Sequence, residues 1–301
     1  CLCLRQQPFV AKFPLLLLFP MRFRRFVFLC FLFYEKTNNR KEDTYLKIWF
    51  LFFASCLLLG PPFSLYSAGL DPSLVMYLPL DENTGKVAKD LSPFKNDAEF
   101  KGKPTWVQGK YNSGVLLGTG NWLEVKDADS LDLTDGITIN CWVLIKSLTG
   151  DHQSAVEKGA AWGPGEYNLL PVYSGNVLLQ MNDLPDECDD EAIGGKVDDG
   201  DWHHIAGTFN GKVIKTYIDG KESSSLPCVG KLDKNSDPLF IGCRGGSSRW
   251  MNGIIDEIKI YNRALTADEI KKDMEEPKAN LSVTVNGKLS VTWGKLKTKY
   301  N

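Results

Sequence analysis

Three acids recur at alternate positions in "NDLPDECDDEAIGG" (182–195): Glu187, Asp189 and Glu191. On a β-strand, alternate side chains share one face. Two carboxyls about 5–5.5 Å apart on such a face suit retaining glycoside hydrolysis. The neighbours point elsewhere. Pro185, Asp190, Gly194 and Gly195 mark a loop, and Cys188 sits where a strand would carry an apolar residue. The expected reading is a solvated acidic loop, with hydrolysis by Glu187 and Glu191 as the lesser alternative.

A second acid stands in "GIIDEIKIY" (253–261), which reads as a strand. Strand alternation places Asp256 on one face with Ile254, Ile258 and Ile260. A carboxylate there must be neutralised, paired or bound to a metal. Calcium takes six to eight oxygens from carboxylates, carbonyls and water. Asp81, at the end of the first strand, and Asn96 and Asp97, in a following turn, form the expected calcium set with Asp256. The competing expectation is that Asp256 accepts backbone N–H bonds or pairs with Arg263.

Aromatic residues offer a third kind of chemistry, since sugars stack on indole faces while polar groups bind their hydroxyls. Trp162 lies in the Gly/Pro-rich "AAWGPGEY", and Trp250 in "RGGSSRWMNG" beside Arg244 and Arg249. With Asn182 and the acidic loop, these form the expected ligand-binding cluster. His203 and His204 are adjacent on a strand, face opposite ways and read as structural. No serine or cysteine nucleophile motif accompanies them.

The elements that must position these residues are mostly strands. From Leu70 onward, short apolar runs alternate with turns: "LVMYLPL", "GVLLG", "NWLEVK", "GITINCWVLIK", "EYNLLPVY", "NVLLQMN", "WHHIAGTFN", "VIKTYIDG", "PLFIGC" and "GIIDEIKIY". Asn210–Gly211–Lys212 and Ser174–Gly175 are hairpin signals. Many strands at this spacing predict an all-β sandwich or barrel, and about 200 residues make one such domain. One helix is expected, in "LTADEIKKDM". Thr266 and Glu269 form a capping box there, with acids early and lysines later.

Four segments follow. Residues 1–44, with an apolar run split by Arg22, Arg24 and Arg25, are expected to be a leader outside the fold. Residues 45–69 read as a signal peptide, with a retained membrane anchor as the alternative: Lys47 precedes "IWFLFFASCLLLG", and "SAG" offers a cleavage site. Residues 70–275 hold the sandwich. Residues 276–301 read as a tail hairpin about Asn286–Gly287, or the start of a further module. Export permits disulfides among Cys141, Cys188, Cys228 and Cys243. Cys141 shares a strand face with Ile137, Ile139 and Val143 and reads as core. Cys188 and Cys228 lie in polar loops and are the expected pair, leaving Cys243 free or paired with Cys141.

A net charge of -2 with a pI near 6.0 gives no reason to expect a nucleic-acid partner. No Gly-rich phosphate loop or dinucleotide fingerprint is present.

The stretches "LVMYLPLDENTGKVAKDLSPFKNDAEF", "GVLLGTGNWLEV", "ITINCWV", "DWHHIAGTFNGKVIKTYIDGK", "PLFIGCR" and "NGIIDEIKIYNRALTADEI" carry a resemblance. Leu74 to Ile270 resembles the laminin-G-like jelly roll of the concanavalin A-like lectin/glucanase superfamily. The resemblance implies two curved antiparallel sheets. It also implies an extracellular module that commonly binds glycans or proteins, often with calcium. Certain endo-glucanases of that fold carry Glu-x-Asp-x-Glu on a strand, a context the 187–191 loop lacks. The resemblance assigns Trp106, Trp122, Trp142 and Trp202 to structural positions. The expected function is a secreted, non-catalytic, lectin-like module binding a glycan or glycoprotein, without membrane insertion of the mature domain. A protein–protein adhesion module is the alternative.

Overall fold

The computed structural model describes residues 71–182, 184 and 190–275. The expected leader, signal peptide and tail hairpin lie outside these residues, as do Glu187, Cys188 and Asp189.

The strands β1 (Leu74–Leu78), β2 (Val87–Ala88), β3 (Ala98–Lys101), β4 (Thr105–Gln108), β5 (Ser113–Leu117) and β6 (Trp122–Val125) precede the long β7 (Ile137–Ile145). Next come β8 (His152–Gln153), β9 (Val156–Lys158), β10 (Tyr167–Tyr173), β11 (Asn176–Met181) and β12 (Glu191–Ile193). The set closes with β13 (Trp202–Phe209), β14 (Val213–Ile218), β15 (Lys221–Pro227), β16 (Leu239–Ile241) and β17 (Gly253–Tyr261), then the helix α1 (Ala267–Glu275). Among the described residues no helix is long and apolar enough to cross a membrane.

Two antiparallel sheets result. The first has the order β15-β14-β13-β7-β17-β5-β4, with β1 also on β17. The second runs β12-β11-β10-β9-β16-β6-β3-β2, with β8 also on β10. The core lies between them. Ile139, Cys141 and Val143 of β7 share one cluster with Leu169 of β10, Leu179 of β11 and Ile241 of β16. At Gly207 of β13, a Cβ would meet the Leu179 side chain at 2.7 Å, so that position admits no side chain between the sheets. Of the sandwich and the barrel that the alternating pattern left open, the chain forms the sandwich of two sheets that the resemblance implied.

The expected turns form through the expected chemistry. Asn210 Oδ1 accepts the N–H groups of Lys212 and Val213, and Gly211 takes φ +80°. Thr266 Oγ1 accepts the Glu269 N–H while Glu269 accepts the Thr266 N–H, closing the capping box at the start of α1. Four strands escaped the pattern reading. β2, β8 and β9 are too short to alternate visibly, and β15 is a polar edge strand, "KESSSLP". Glu191 also begins a strand, the short edge β12, where a loop was expected.

The last strand corrects the sequence reading of Asp256. Asp256 lies opposite Trp142 and Lys259 opposite Asn140, so β17 advances three residues while β7 advances two. The extra residue makes a β-bulge, with Glu257 in the left-handed region at φ +50°. A bulge reverses the alternation, and Ile255, Ile258 and Ile260 are the residues that enter the core. Asp256 therefore does not share the face of Ile258 and Ile260. The bulge falls where the neighbour of β17 changes. Gly253–Ile255 pair with β5, and Ile258–Tyr261 pair with β1, which joins the first strand to the last as expected.

Candidate ligand-binding site

The site is built on β9, one of the strands hidden from the pattern. Val156 enters the core, so Glu157 faces away from it. The register sets Glu157 opposite Asn168 of β10 on one side and Phe240 of β16 on the other. Asn168 in turn lies opposite Gln180, and Gln180 opposite Glu191, whose Oε1 accepts the Gln180 amide at 2.5 Å. A polar row thus crosses the outer face of the second sheet.

The loop after β16 covers the middle of that row. Glu157 is fully buried, yet Arg249 Nη1 donates to its Oε1 at 3.0 Å, and Arg244 Nε lies 3.3 Å from the same oxygen. Arg244 Nη2 donates to Glu166 Oε2 at 3.0 Å, and Glu166 also accepts the Gly163 N–H at 3.2 Å. Glu157 Oε2 and Glu166 Oε1 are buried and meet no N–H donor. One proton shared between the two carboxyls satisfies both. Burial, and then the hydrogen bond to Glu166, pushes Glu157 up to about 8. Glu166 is raised as well, by burial, although the bond from Glu157 and the charge of Arg244 oppose the rise.

Above this base lies an open cleft of about 390 Å³, lined by Thr119, Thr149, Gly150, Asp151, His152, Ser248, Arg249 and Trp250. Its volume is within the range of small-molecule sites, roughly 300–1,000 Å³. Trp250 packs on Trp122 of β6 with ring centroids 5.6 Å apart. Gly246, at φ +66°, allows that packing: a Cβ there would come within 2.9 Å of the Trp122 ring. Thr149 Oγ1 donates to the Trp250 carbonyl at 2.7 Å, tying the loop after β7 to the loop after β16. Arg249 holds φ +51°, a strained backbone for a long side chain, and Ser154 N–H anchors its carbonyl at 2.9 Å. His152 sits edge-on to Tyr173 at 4.7 Å. Burial, then the charge of Arg249, lowers its pKa below the ordinary histidine value.

The expected ligand residues divide. Arg249 and Trp250 line the cleft. Arg244 lies behind it, held by Glu157 and Glu166. Asn182 contributes a backbone N–H to the Glu166 carbonyl at 2.9 Å. Trp162 is 46% exposed and outside the cleft lining, although Glu166 holds its neighbour Gly163. Trp122, expected to be structural, packs on the ring of Trp250 and is not part of the cleft lining. The sequence does not single out Glu157, Asp151, His152 and Thr119, because the last three join Trp250, and Glu157 joins Arg249, only through sheet register and loop folding. His203 and His204 do face opposite ways. His203 bonds Asp219 and Asp199, while buried His204 packs against Trp142.

The expected calcium set also divides. Asp256 Oδ2 accepts the Tyr111 N–H at 3.0 Å and Oδ1 accepts the Glu257 N–H at 2.9 Å. Arg263 instead pairs with Asp71 and Glu269. Burial, opposed by the Tyr111 N–H and aided by the charges of Glu257 and Asp81, pushes Asp256 up to about 8. Asp81 accepts the Asn112 side-chain amide at 3.2 Å, in the same loop as Tyr111. Asn96 and Asp97 belong to a different network. Asn96 donates to the Val75 carbonyl and Ser130 Oγ, and Asp97 accepts the Asp90 N–H and the Lys89 ammonium. Among the described residues no three His, Cys, Asp or Glu side chains converge as a metal cage. Cys141 and Cys243 are free and buried, so they do not pair with each other.

Residues 117–271, about half of the chain, match a family model for the concanavalin A-like lectin/glucanases superfamily. No curated protein matches the sequence. Among solved structures, the chain is similar to domain 4 of a GH43 extracellular arabinanase from Geobacillus stearothermophilus, solved in complex with arabinotriose. The TM-score is 0.54 at 20% identity, covering 66% of this chain and 97% of that one. It is also similar to the binding domain of Paraclostridial Mosquitocidal Protein 1, with a TM-score of 0.52 at 20% identity and coverage of 66% and 51%. A third similar structure is of botulinum neurotoxin type C, whose cell entry depends on two ganglioside molecules. Its TM-score is 0.50 at 12% identity, with coverage of 68% and 51%. At these identities the likeness is one of fold.

Proposed function

The chain belongs to the concanavalin A-like lectin/glucanase superfamily, and from that premise we propose that its jelly roll is a secreted, non-catalytic carbohydrate-binding module. The observation that carries this reading is the Trp250 cleft. It sets an indole fixed by a second tryptophan among a carboxylate, a guanidinium, an imidazole and three hydroxyls. An aromatic face stacks on the C–H face of a sugar, and the surrounding groups match its hydroxyls. The arabinanase domain of the same fold was solved with arabinotriose, which makes a saccharide the first ligand class to try.

The non-catalytic part rests on the carboxyl geometry. Glu157 and Glu166 are both buried and held by Arg249 and Arg244, whereas glycosidase pairs stand roughly 5–9.5 Å apart to admit a sugar or a water. The export part rests on the apolar segment ending at "SAG".

A glycan array with the full chain tests the reading. Binding to at least one glycan is expected, and Trp250→Ala should weaken it by roughly ten- to a hundredfold, the loss of one stacking contact. Trp162→Ala should leave it unchanged. A protein that binds no glycan, or binds equally well without Trp250, sinks the proposal.

A further inference from the structure

We infer that one end of the sandwich holds a calcium-type oxygen site that this chain fills with a cation of its own, the ammonium of Lys158. Lys158 ends β9 and, by alternation with the outward Glu157, takes the inward face with Val156. Its neighbours across the register are Tyr167 of β10 and Leu239 of β16, both core residues. Lys158 is fully buried, so its charge must be met by protein oxygens.

The oxygens outnumber its protons. Nζ donates to Asp127 Oδ1 at 2.8 Å, Asn235 Oδ1 at 2.9 Å and the Asp237 carbonyl at 2.5 Å, with the Asn235 carbonyl at 3.3 Å. An ammonium has three protons for these four acceptors. A fifth oxygen, Asp132 Oδ1, stands 3.8 Å from Nζ and meets no hydrogen-bond donor, although the Asp132 side chain is only 9% exposed. Among the described residues Asp127 and Asp132 make no other ion pair, so two carboxylates face a single positive charge.

Two carboxylates, an amide oxygen and two carbonyls around one point are a donor set for a divalent ion. Calcium takes such oxygens at about 2.3–2.6 Å, with water completing its six to eight. Asp127 is 36% exposed along its side chain, which leaves a way in for an ion and its water. The donors come from separate loops. Asp127 follows β6, Asp132 follows the 3-10 turn Asp129–Leu131, and Asn235 and Asp237 precede β16. Asn235 also accepts the Asp237 N–H at 3.0 Å and donates to the Pro164 carbonyl at 3.1 Å, in the loop of Trp162. Lys158 thus ties these loops together as a metal would, and its ammonium closes the position to dissolved calcium.

Thermal unfolding of the full chain tests this, in EDTA and in about 10 mM calcium, roughly ten times the weakest Kd of extracellular calcium modules. An Asp256→Asn background removes the other buried acid expected to hold calcium. With Lys158 in place, calcium should move Tm by less than about 1 °C. Lys158→Ala should lower Tm in EDTA, and calcium should then raise it by at least about 3 °C. Adding Asp127→Asn and Asp132→Asn should remove that rise. Where Lys158→Ala is unfolded in EDTA, refolding into calcium should restore its near-UV circular dichroism. The inference is overturned by a Lys158→Ala protein that melts alike in calcium and EDTA, or by an equal calcium shift with Lys158 present. A rise that survives loss of Asp127 and Asp132 overturns it too, as does a chain that stays unfolded in calcium as both Lys158→Ala and Lys158→Gln.

Discussion

Glu157 shows how a single residue can set the chemistry of a surface it does not reach. It is fully buried, yet it fixes the guanidinium of Arg249, which lines the cleft. The buried pair also gives a pH signature. Glu157 holds its proton to about 8 in the folded state, against an ordinary value of 4.5. Below about 4.5 both states are protonated and the full contribution to stability is present. As pH rises from about 4.5 towards 8, the unfolded chain ionises while the folded one does not, so stability falls through that window. Glu157→Gln removes the proton. Chemical denaturation from pH 5 to 8 should show a wild-type decline approaching about 1 kcal/mol per pH unit that is flattened in the variant. Parallel slopes would remove the buried-proton account. Little of this was legible beforehand, because "SAVEK" is too short to reveal which face Glu157 takes.

At the scale of elements, the informative feature is the junction where β17 exchanges β5 for β1. The bulge at Asp256 and Glu257 turns Asp256 towards the loop carrying Gly109 and Tyr111, where a Cβ on Gly109 would lie 2.6 Å from Asp256 Oδ2. Asp256 has two N–H donors but acid neighbours in Asp81 and Glu257, so a divalent cation would relieve the repulsion. We propose that calcium, if held, is held by Asp81 and Asp256. Asn96 and Asp97 are already committed to the Asp90 turn. Calcium at about 100 times its Kd should stabilise the protein by about 2.7 kcal/mol, read as a rise in Tm. Asp256→Asn should abolish that rise. A wild-type Tm that ignores both calcium and EDTA disposes of the proposal. The sequence pointed to Asp81 and Asp256 because the first and last strands were expected to pair. It set Asp256 on the face of Ile258 and Ile260 because one inserted residue inverts every later position.

For the whole molecule, the cysteines set the last expectation. Cys228 is buried at the end of β15, and we propose that it pairs with Cys188, bracing the acidic loop. Closing a loop of about 40 residues stabilises by about 3–4 kcal/mol in the chain-entropy estimate. Non-reducing peptide mapping should find the Cys188–Cys228 link, and reduction should lower Tm. Burial pushes the thiol of Cys141 up, and that of Cys243 up to about 12, so both should resist alkylation in the native state. Recovery of alkylated Cys188 from native protein would refute the pairing. By itself the sequence determined an all-β sandwich or barrel, its hairpins and its capped helix, and the resemblance implied two sheets. Apolar alternation, Asn-Gly turns and a Thr-x-x-Glu box are local signals that each act within a few residues. It also determined which loops carry the tryptophan and arginines. Tertiary structure alone decided that Trp122 lies under Trp250, that Glu157 restrains Arg249, and that Asp151 and His152 complete the cleft. These residues come from four separate stretches of chain, and only strand register and sheet packing bring them together.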